Sequence, residues 1–524
     1  SQDAQQELEA ITPPEDQRTQ NDILQNRAVD KLKNRKGVGV DGIPWELLNV
    51  SGNATKRKIH ELCNRVWKEE KVPEEWGKAI LITIPKKGDL LDCTNYRTIS
   101  LVTHLSKILL NVILERLKSE TEEAISEEQA GFRSGRSTIQ QTLSLRLIAE
   151  KYREVDKQVF HCFIDFSKAF DLVWHEGLWQ VLKSYGVNGK LIRVLRTLYE
   201  QATSMVTVNG RRSEWFKANV GTRQGDPISP RAFITFLERL MDGTKELPEK
   251  GVTIHGQKVW NLRFADDIDL INKSPAGIQE MINKISEDSK RYGMRINTDK
   301  TKTMVNCRNM IKNDMKVVLN GKALENVDSF IYLGSFVTWN NDCSADVARR
   351  IQLASAAFSN LSTVWKDKGI TLQVKIQLLQ ACVMTVLLYA AETWTLKKQD
   401  EHKLLAFEMR CYRRLMNIKW QDMRRNEDIR KEIGREVTVV DITKHRKLQL
   451  FGHICRMDDT RLLKTLTFGI VEGTRPPGRP PRRWTDDITE WTSMGLEQAL
   501  RSAQDRDKWR TMTSPYGCKT TGVN

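Results

Sequence analysis

The sequence predicts an α+β protein of several domains, and three observations carry that expectation. The apolar run VFHCFI over 159–164 reads as a strand buried on both faces. Over 260–270, Trp260, Leu262 and Phe264 alternate as one face of a half-buried strand, and Ile268 and Leu270 resume the alternation, which is the pattern of a hairpin. Past residue 340 the period changes. Val347, Ile351, Ala354, Phe358 and Leu361 recur at spacings of four, three, four and three, the face of an amphipathic helix. A second apolar helical segment is expected over 372–391. At the other end, residues 1–50 read as a polar lead-in, a helix and a turn broken at Asp41-Gly42 and Pro44.

With 524 residues and 40% apolar content the chain is long enough for two to four globular domains. Its 83 Lys and Arg against 67 Asp and Glu leave a net charge of +16, which draws a polyanion: nucleic acid first, acidic membrane second. No stretch approaches the ~18–20 apolar residues of a membrane span; the longest candidate, 381–391, is interrupted by Thr385. No membrane partner is therefore expected. Nine cysteines without a Cys-x-x-Cys pair argue against a zinc ribbon or disulfide framework and fit a reducing compartment.

Asp-Asp occurs three times, at 266–267, 458–459 and 486–487. The last two lie beside arginines and read as solvated charges or helix N-termini. Asp266 and Asp267 instead sit at the tip of a hairpin with apolar walls. Two charges about 4 Å apart repel by roughly 4 kcal/mol at an effective dielectric of about 20, so the pair needs cations or protons. Asp165 stands at the C-terminal end of the 159–164 strand, where backbone emerges from a sheet, and completes a three-acid cluster if the strands are neighbours. Carboxylate-only ligation selects Mg²⁺ or Mn²⁺ over zinc. Two such ions about 3.5–4 Å apart are the machinery of nucleotide transfer.

The strings FIDFSKAFD (163–171), GTRQGDPISPRAF (221–233), RFADD (263–267), GMRINTDKTKTM (293–304) and SFIYLGS (329–335) follow in order the palm motifs of reverse transcriptases, and the chain resembles the polymerase region of a non-LTR, LINE-type retrotransposon. Upstream, residues 32–48, 72–101 and QAGFRSGRSTIQQTL (129–143) are similar to the amino-terminal and finger segments of that family. Downstream, LLYAAETW (387–394), KLQLFGHICRM (447–457) and GRPPRRW (478–484) resemble the carboxyl part of LINE proteins. The resemblance implies a right-hand polymerase with an RRM-like antiparallel palm sheet: an extension over 1–50, fingers over 51–155, palm over 156–338, a helical thumb over 339–420 and a small helical nucleic-acid-binding region over 421–524. It implies an RNA template, a DNA primer or nicked target DNA, dNTPs and two Mg²⁺ or Mn²⁺ ions as partners. An endonuclease upstream of Ser1, and a ribonucleoprotein with the element's RNA in nucleus and cytoplasm, follow from it as well.

Residue by residue, the resemblance makes Asp165, Asp266 and Asp267 the metal-binding catalytic acids. Phe170 matches the aromatic gate that favours dNTPs by clashing with a 2′-hydroxyl. Gln224 and Gly225 match the segment beside the nascent base pair, where glycine permits close backbone approach. Arg97 matches the finger arginine on the triphosphate, a task suited to a planar guanidinium; Lys86 or Lys87 assists it. Lys300 matches the lysine near the pyrophosphate. Tyr332, Leu333 and Gly334 fall in the primer-gripping hairpin. Arg479, Arg482 and Arg483, in a Pro-rich strip ending at Trp484, suit phosphate contact.

Phe264 stands where many relatives have Tyr, and Ala390 where relatives often have Gly, a change expected to touch packing more than chemistry. Trp484, Trp491 and Trp509 read as anchors of a small carboxyl-terminal domain. His445, His453 and Cys455 lack a fourth ligand at zinc spacing. A non-catalytic remnant of a retroelement is the alternative function; the persistence of all three acids, Phe170 and Arg97 favours the enzyme, and Phe170 disfavours an RNA-dependent RNA polymerase.

Overall fold

The structure, a computed structural model, describes residues 32–86, 88–223, 225–247, 250–309, 315–478 and 480–514. Gln224 and Arg479, and with them Lys87, lie outside the described residues.

A five-stranded sheet forms the centre. Its strands run side by side in the order Glu325–Asn326, Lys302–Asn306, Val159–Ile164, Asp267–Asn272, Asn261–Phe264. Every neighbouring pair is antiparallel except the first. Val159–Ile164 is buried along its whole length, which is why it shows no polar alternation. On one face Phe160, Cys162, Ile164, Ile268 and Leu270 pack under the helices Ser229–Lys245 and Pro275–Arg291. The second of these helices starts where Ser274 accepts the Gly277 N–H at 3.1 Å and Pro275 takes the first turn. It buries Ile278, Met281, Ile282 and Ile285, one stripe at helical spacing.

The opposite face carries Phe163, Ile271, Leu262 and Met304 against helix Thr138–Glu154 and residues from 448–509. The strand before the acid pair is thus not half-buried as its alternation suggests. Asn261 and Arg263 are as buried as Leu262, because segment 128–130 hydrogen-bonds along its edge: Arg263 N–H donates to Glu128 O at 3.0 Å and Ala130 N–H to Arg263 O at 2.9 Å. Arg263 answers its burial with an ion pair to Glu238 at 3.0 Å, both side chains fully enclosed.

A second sheet joins Tyr96–Leu101 antiparallel to Lys78–Pro85 and the latter parallel to Thr203–Val208. Its helices share the apolar core of the central sheet: Val66, Ile108 and Leu198 belong to the same cluster as Phe160 and Ile164. No apolar boundary therefore falls near residue 155.

The carboxyl half is helical. Cys343–Asn360 begins where Asp342 accepts the Ser344 N–H at 3.0 Å and buries Val347, Ala354 and Phe358. The expected 372–391 helix is shorter: Leu372–Leu378 is followed by a π-helical turn over Leu379–Met384 and ends at Leu387. Ala390 has φ +56°, so what this position asks for is left-handed backbone rather than packing, and that is the property glycine supplies most cheaply. Trp484 and Trp509 are buried as expected, both beside Phe451, yet in one apolar cluster with Leu143 and the back of the central sheet rather than in a core of their own. Each such aromatic removes roughly 150–250 Å² from water, about 4–6 kcal/mol at ~25 cal/mol/Å², so the carboxyl segment is integral to the central core. Asp486 accepts the Arg483 N–H at 2.7 Å and caps a helix, whereas Asp487 is buried and paired with Lys447 at 2.5 Å, so only the first of these two fits the surface expectation. Among the described residues no helix is long and apolar enough to cross a membrane.

Candidate active site

The register of the central sheet decides where the acids meet. Ile164 pairs with Ile268, so the next residue of one strand, Asp165, comes alongside the preceding residue of the other, Asp267. Asp165 is pinned by the loop that follows Pro275–Arg291: Asn297 N–H donates to its carbonyl at 2.7 Å, and its own N–H donates to Thr301 Oγ1 at 3.3 Å. In that loop Asn297 Oδ1 accepts the Asp299 and Lys300 amides at 3.1 and 3.3 Å. This turn brings Lys300 Nζ to 3.8 Å from Asp165 Oδ2, an ion pair too long for a hydrogen bond.

Phe264 pairs with Asp267, leaving Ala265 and Asp266 as a two-residue turn. Ala265 has φ +59° and is buried. Its N–H donates to Gln129 Oε1 at 2.9 Å, and its carbonyl faces Gln129 Nε2 at 3.4 Å. Gln129 opens the 129–143 segment and carries no role expected from sequence; only the fold shows what its amide touches.

All three acids are raised by burial, and the two at the turn also by neighbouring charge. Burial raises the Asp165 pKa against the opposing charge of Lys300. Burial, with the charge of Asp165, raises Asp266 against a hydrogen bond from its own backbone and the charge of Arg97. Asp267 lies at the exposed tip, yet partial burial, then the charges of Asp266 and Asp165, push it up to about 6. Such a set, with more negative charge than Lys300 and Arg97 balance, is chemically suited to divalent cations, and Asp165 Oδ2 is buried without a hydrogen bond. The side chains are not gathered round one point as they stand: among the described residues no three His, Cys, Asp or Glu are placed to hold a metal ion.

Around the acids, Phe170 stacks on Phe233 with centroids 4.1 Å apart and meets Phe132 edge-on at 6.1 Å. Its carbonyl accepts the Thr222 N–H at 2.7 Å, which ties the 221–226 loop to it. In that loop Gly225 has φ +103°, and a Cβ there would come within 2.6 Å of Ser100 O; only glycine fits against the Tyr96–Leu101 strand. Arg97 is exposed on that strand, opposite Ile84. Lys86 is exposed just past the neighbouring strand, its N–H donating to Asn95 O at 2.6 Å.

Several expected nucleic-acid contacts are otherwise engaged. Tyr332 is buried, its ring 5.9 Å from Phe163 and its hydroxyl donating to Leu262 O at 3.4 Å; of the hairpin, Leu333 and Gly334 at the turn are partly exposed. Arg482 pairs with Asp487 at 2.6 Å and Glu490 at 2.5 Å, and Arg483 with Glu154 at 2.5 Å. These two arginines fasten the carboxyl strip to helix 138–154 and to its own helix, so phosphate binding by them requires breaking ion pairs.

Residues 84–337 match the family described as reverse transcriptase (RNA-dependent DNA polymerase). A transposon-derived protein of Caenorhabditis elegans is 30% identical over 278 residues, 49% of this chain and 95% of that one. The chain belongs to the reverse transcriptase family. Its relatives include polymerases of non-LTR retrotransposons. The RNA-directed DNA polymerase of the mobile element jockey from Drosophila funebris is 25% identical over 409 residues, 75% of this chain and 43% of that one. The chain thus spans less than half the length of that polymerase. The apo telomerase of Candida tropicalis, a member of the solved structures, is 12% identical with a TM-score of 0.39, covering 80% of this chain and 74% of the other. Reverse transcriptases use divalent metal ions, and the chain's three acids are the donors here whose chemistry fits them.

Proposed function

We propose that the chain extends a DNA 3′-end on an RNA template, with Asp165, Asp266 and Asp267 holding two Mg²⁺ or Mn²⁺ ions. The observation that carries this reading is the meeting of a strand end and a hairpin tip, where burial raises the pKa of all three carboxylates, Asp165 raises Asp266, and both of these raise Asp267. Divalent cations bound there supply Lewis-acid activation of the primer 3′-hydroxyl and neutralise the leaving pyrophosphate. The chain's own cations, Lys300 beside Asp165 and Arg97 on the sheet edge, orient the triphosphate. Phe170, fixed by Phe233, lies under the sugar and excludes a 2′-hydroxyl; Gly225 borders the nascent pair. In this reading the second sheet serves as fingers, with Lys86 at their tip, the central sheet as palm and the helices from Cys343 as thumb. The Leu333-Gly334 turn grips the primer. Copying is primed at a nicked chromosomal target, with the element's RNA as template and nicking left to an endonuclease outside this chain.

Primer extension of oligo(dT) on poly(rA) with Mg²⁺ tests the reading. Asp266→Asn removes a ligand charge worth several kcal/mol in the transition state, so incorporation falls about a thousand-fold at ~1.4 kcal/mol per decade. Template binding persists, because phosphate contacts dominate affinity. Undiminished incorporation by the variant refutes the assignment.

A further inference from the structure

The turn that carries the acid pair has a problem of its own. A non-glycine residue in the left-handed region costs roughly 1–2 kcal/mol, and Ala265 occupies it at φ +59° while almost wholly buried. Its amide and carbonyl belong to a two-residue loop, so the strand ladder cannot satisfy them. Buried and unpaired, they would destabilise the very conformation that aims Asp266 and Asp267.

Gln129 supplies both partners from a position 136 residues away in the chain. Its Oε1 accepts the N–H groups of Ala265 at 2.9 Å and Gly131 at 2.8 Å, and its Nε2 faces Ala265 O at 3.4 Å. That carbonyl belongs to the peptide leading into Asp266, so the amide side chain holds both ends of the residue before the acids. Gln129 is fully buried and is itself held. Arg133 donates to Gln129 O at 3.2 Å and to Ser126 O at 2.7 Å while pairing with Glu122 at 2.7 Å. Gln141 donates to Glu128 O at 2.6 Å and Arg263 O at 2.8 Å, locking the 128–130 segment to the strand that enters the turn. Next to Gln129, Gly131 lies so close that a Cβ would collide with the Ala265 nitrogen.

We infer that Gln129 is a positioning residue for the acid pair, its carboxamide clamping the left-handed Ala265 peptide and so setting the direction of Asp266 and Asp267. Only a side chain with one acceptor and one donor fits. A carboxylate in its place would have no proton for Ala265 O and would add a negative charge beside the three acids. The inference rests on the polymerase reading for its kinetic consequence and on hydrogen bonding alone for its structural one.

The experiment uses the full chain and three variants, Gln129→Met, Gln129→Ala and Gln129→Met with Ala265→Gly. Three quantities are measured: single-turnover dNTP incorporation, the melting midpoint, and amide hydrogen exchange over 260–272. Methionine keeps the volume and removes both hydrogen-bonding groups. The clamp predicts slow exchange at the Ala265 amide in the parent and faster exchange there in Gln129→Met, with the rest of the sheet unchanged. Maximal incorporation rate falls about ten- to a hundred-fold, as for a reacting group displaced by about 1 Å. The dNTP KM and primer–template affinity stay within about three-fold. Glycine at 265 relieves the left-handed penalty and restores part of the lost rate in the methionine background, which a merely space-filling role for Gln129 does not predict.

Rapid exchange at Ala265 in the parent overturns the inference, and so does an unchanged rate in Gln129→Met. A variant whose whole sheet exchanges faster and whose melting midpoint collapses makes Gln129 a folding residue and overturns it too. If the parent itself incorporates no dNTP, the polymerase reading fails, and the exchange comparison alone still decides whether the clamp exists.

Discussion

Two hairpin turns flank the candidate site, and they are held in opposite ways. At Ala265-Asp266 the first residue is buried and the second half-buried, and the partner is a neutral side chain from the amino-terminal side, which takes the N–H and faces the C=O of Ala265. At Leu333-Gly334, with φ +48° and +84°, the turn is half-exposed, and its carbonyls are the groups held by side chains. Tyr389 donates to Leu333 O at 2.8 Å, while Arg349 and Arg350 donate to Gly334 O. Arg350 also lies over the Tyr389 ring, 4.4 Å from its centroid. Both turns need left-handed residues and both hairpins pack on the central sheet, the second through Phe330 stacked on Phe163 at 4.1 Å, but only the second turn has its carbonyls tied to the helical segment beyond Cys343. A turn that aims reacting groups tolerates little freedom, whereas the second turn carries none of the three acids. The two should therefore fail differently when broken.

The largest break is Gly131→Ala. The new methyl meets the Ala265 nitrogen, which lies in backbone and cannot swing aside. Overpacking of this kind costs about 1–3 kcal/mol, and since the strain falls on the turn itself, incorporation should drop more steeply than in Gln129→Met. Single-turnover rates beside thermal melts check this; a variant that melts earlier yet incorporates at the parental rate would show that the turn is not what limits chemistry.

Tyr389→Phe breaks the other turn more gently. It removes the hydrogen bond to the Leu333 carbonyl, about 1 kcal/mol, and a longer one at 3.4 Å to Thr138 Oγ1, leaving the ring and its cation–π contact in place. If the Leu333-Gly334 turn grips primer, primer–template Kd rises roughly three- to ten-fold at about 1.4 kcal/mol per decade, while the rate at saturation changes little. Fluorescence anisotropy and saturating-substrate kinetics separate the two. The reverse pattern, a slower rate with unchanged affinity, would erase the distinction between the turns.

The contrast also marks how far the sequence could be read. Apolar periodicity placed the 159–164 strand, the hairpin and the Cys343–Asn360 helix, because burial imprints itself on spacing. It reached the acids too, since a charge at the end of an apolar run has few bland explanations. It missed Gln129 and Tyr389, whose partners lie 136 and 56 residues away and leave no local pattern. The ion pairs of Arg482 and Arg483 were hidden for the same reason: a basic strip reads as free until Glu154, Asp487 and Glu490 are seen beside it. Periodicity tells which face of an element is buried but not against what, so the core shared by 448–509 and the central sheet was invisible.

The smallest effect concerns the charge at the first turn without metal. Asp267 is raised from the ordinary carboxylate value of 3.8 to about 6. Between those pH values the folded chain keeps a proton that the unfolded chain has released, so stability falls as pH rises through the window and stays lower above it. Glu150, enclosed where it accepts the Trp484 N–H at 2.8 Å, is raised to about 7 and adds a slope of the same sign. The useful quantity is therefore the difference between Asp267→Asn and the parent in EDTA. The variant should melt at nearly the parental temperature near pH 4 and increasingly above it towards pH 7, because asparagine removes a repelled charge and keeps the shape. Mg²⁺ should close that gap from the parent's side by neutralising the acids. Parallel melting profiles in EDTA would mean that the three acids do not feel one another, and the case for a shared cation at this turn would go with them.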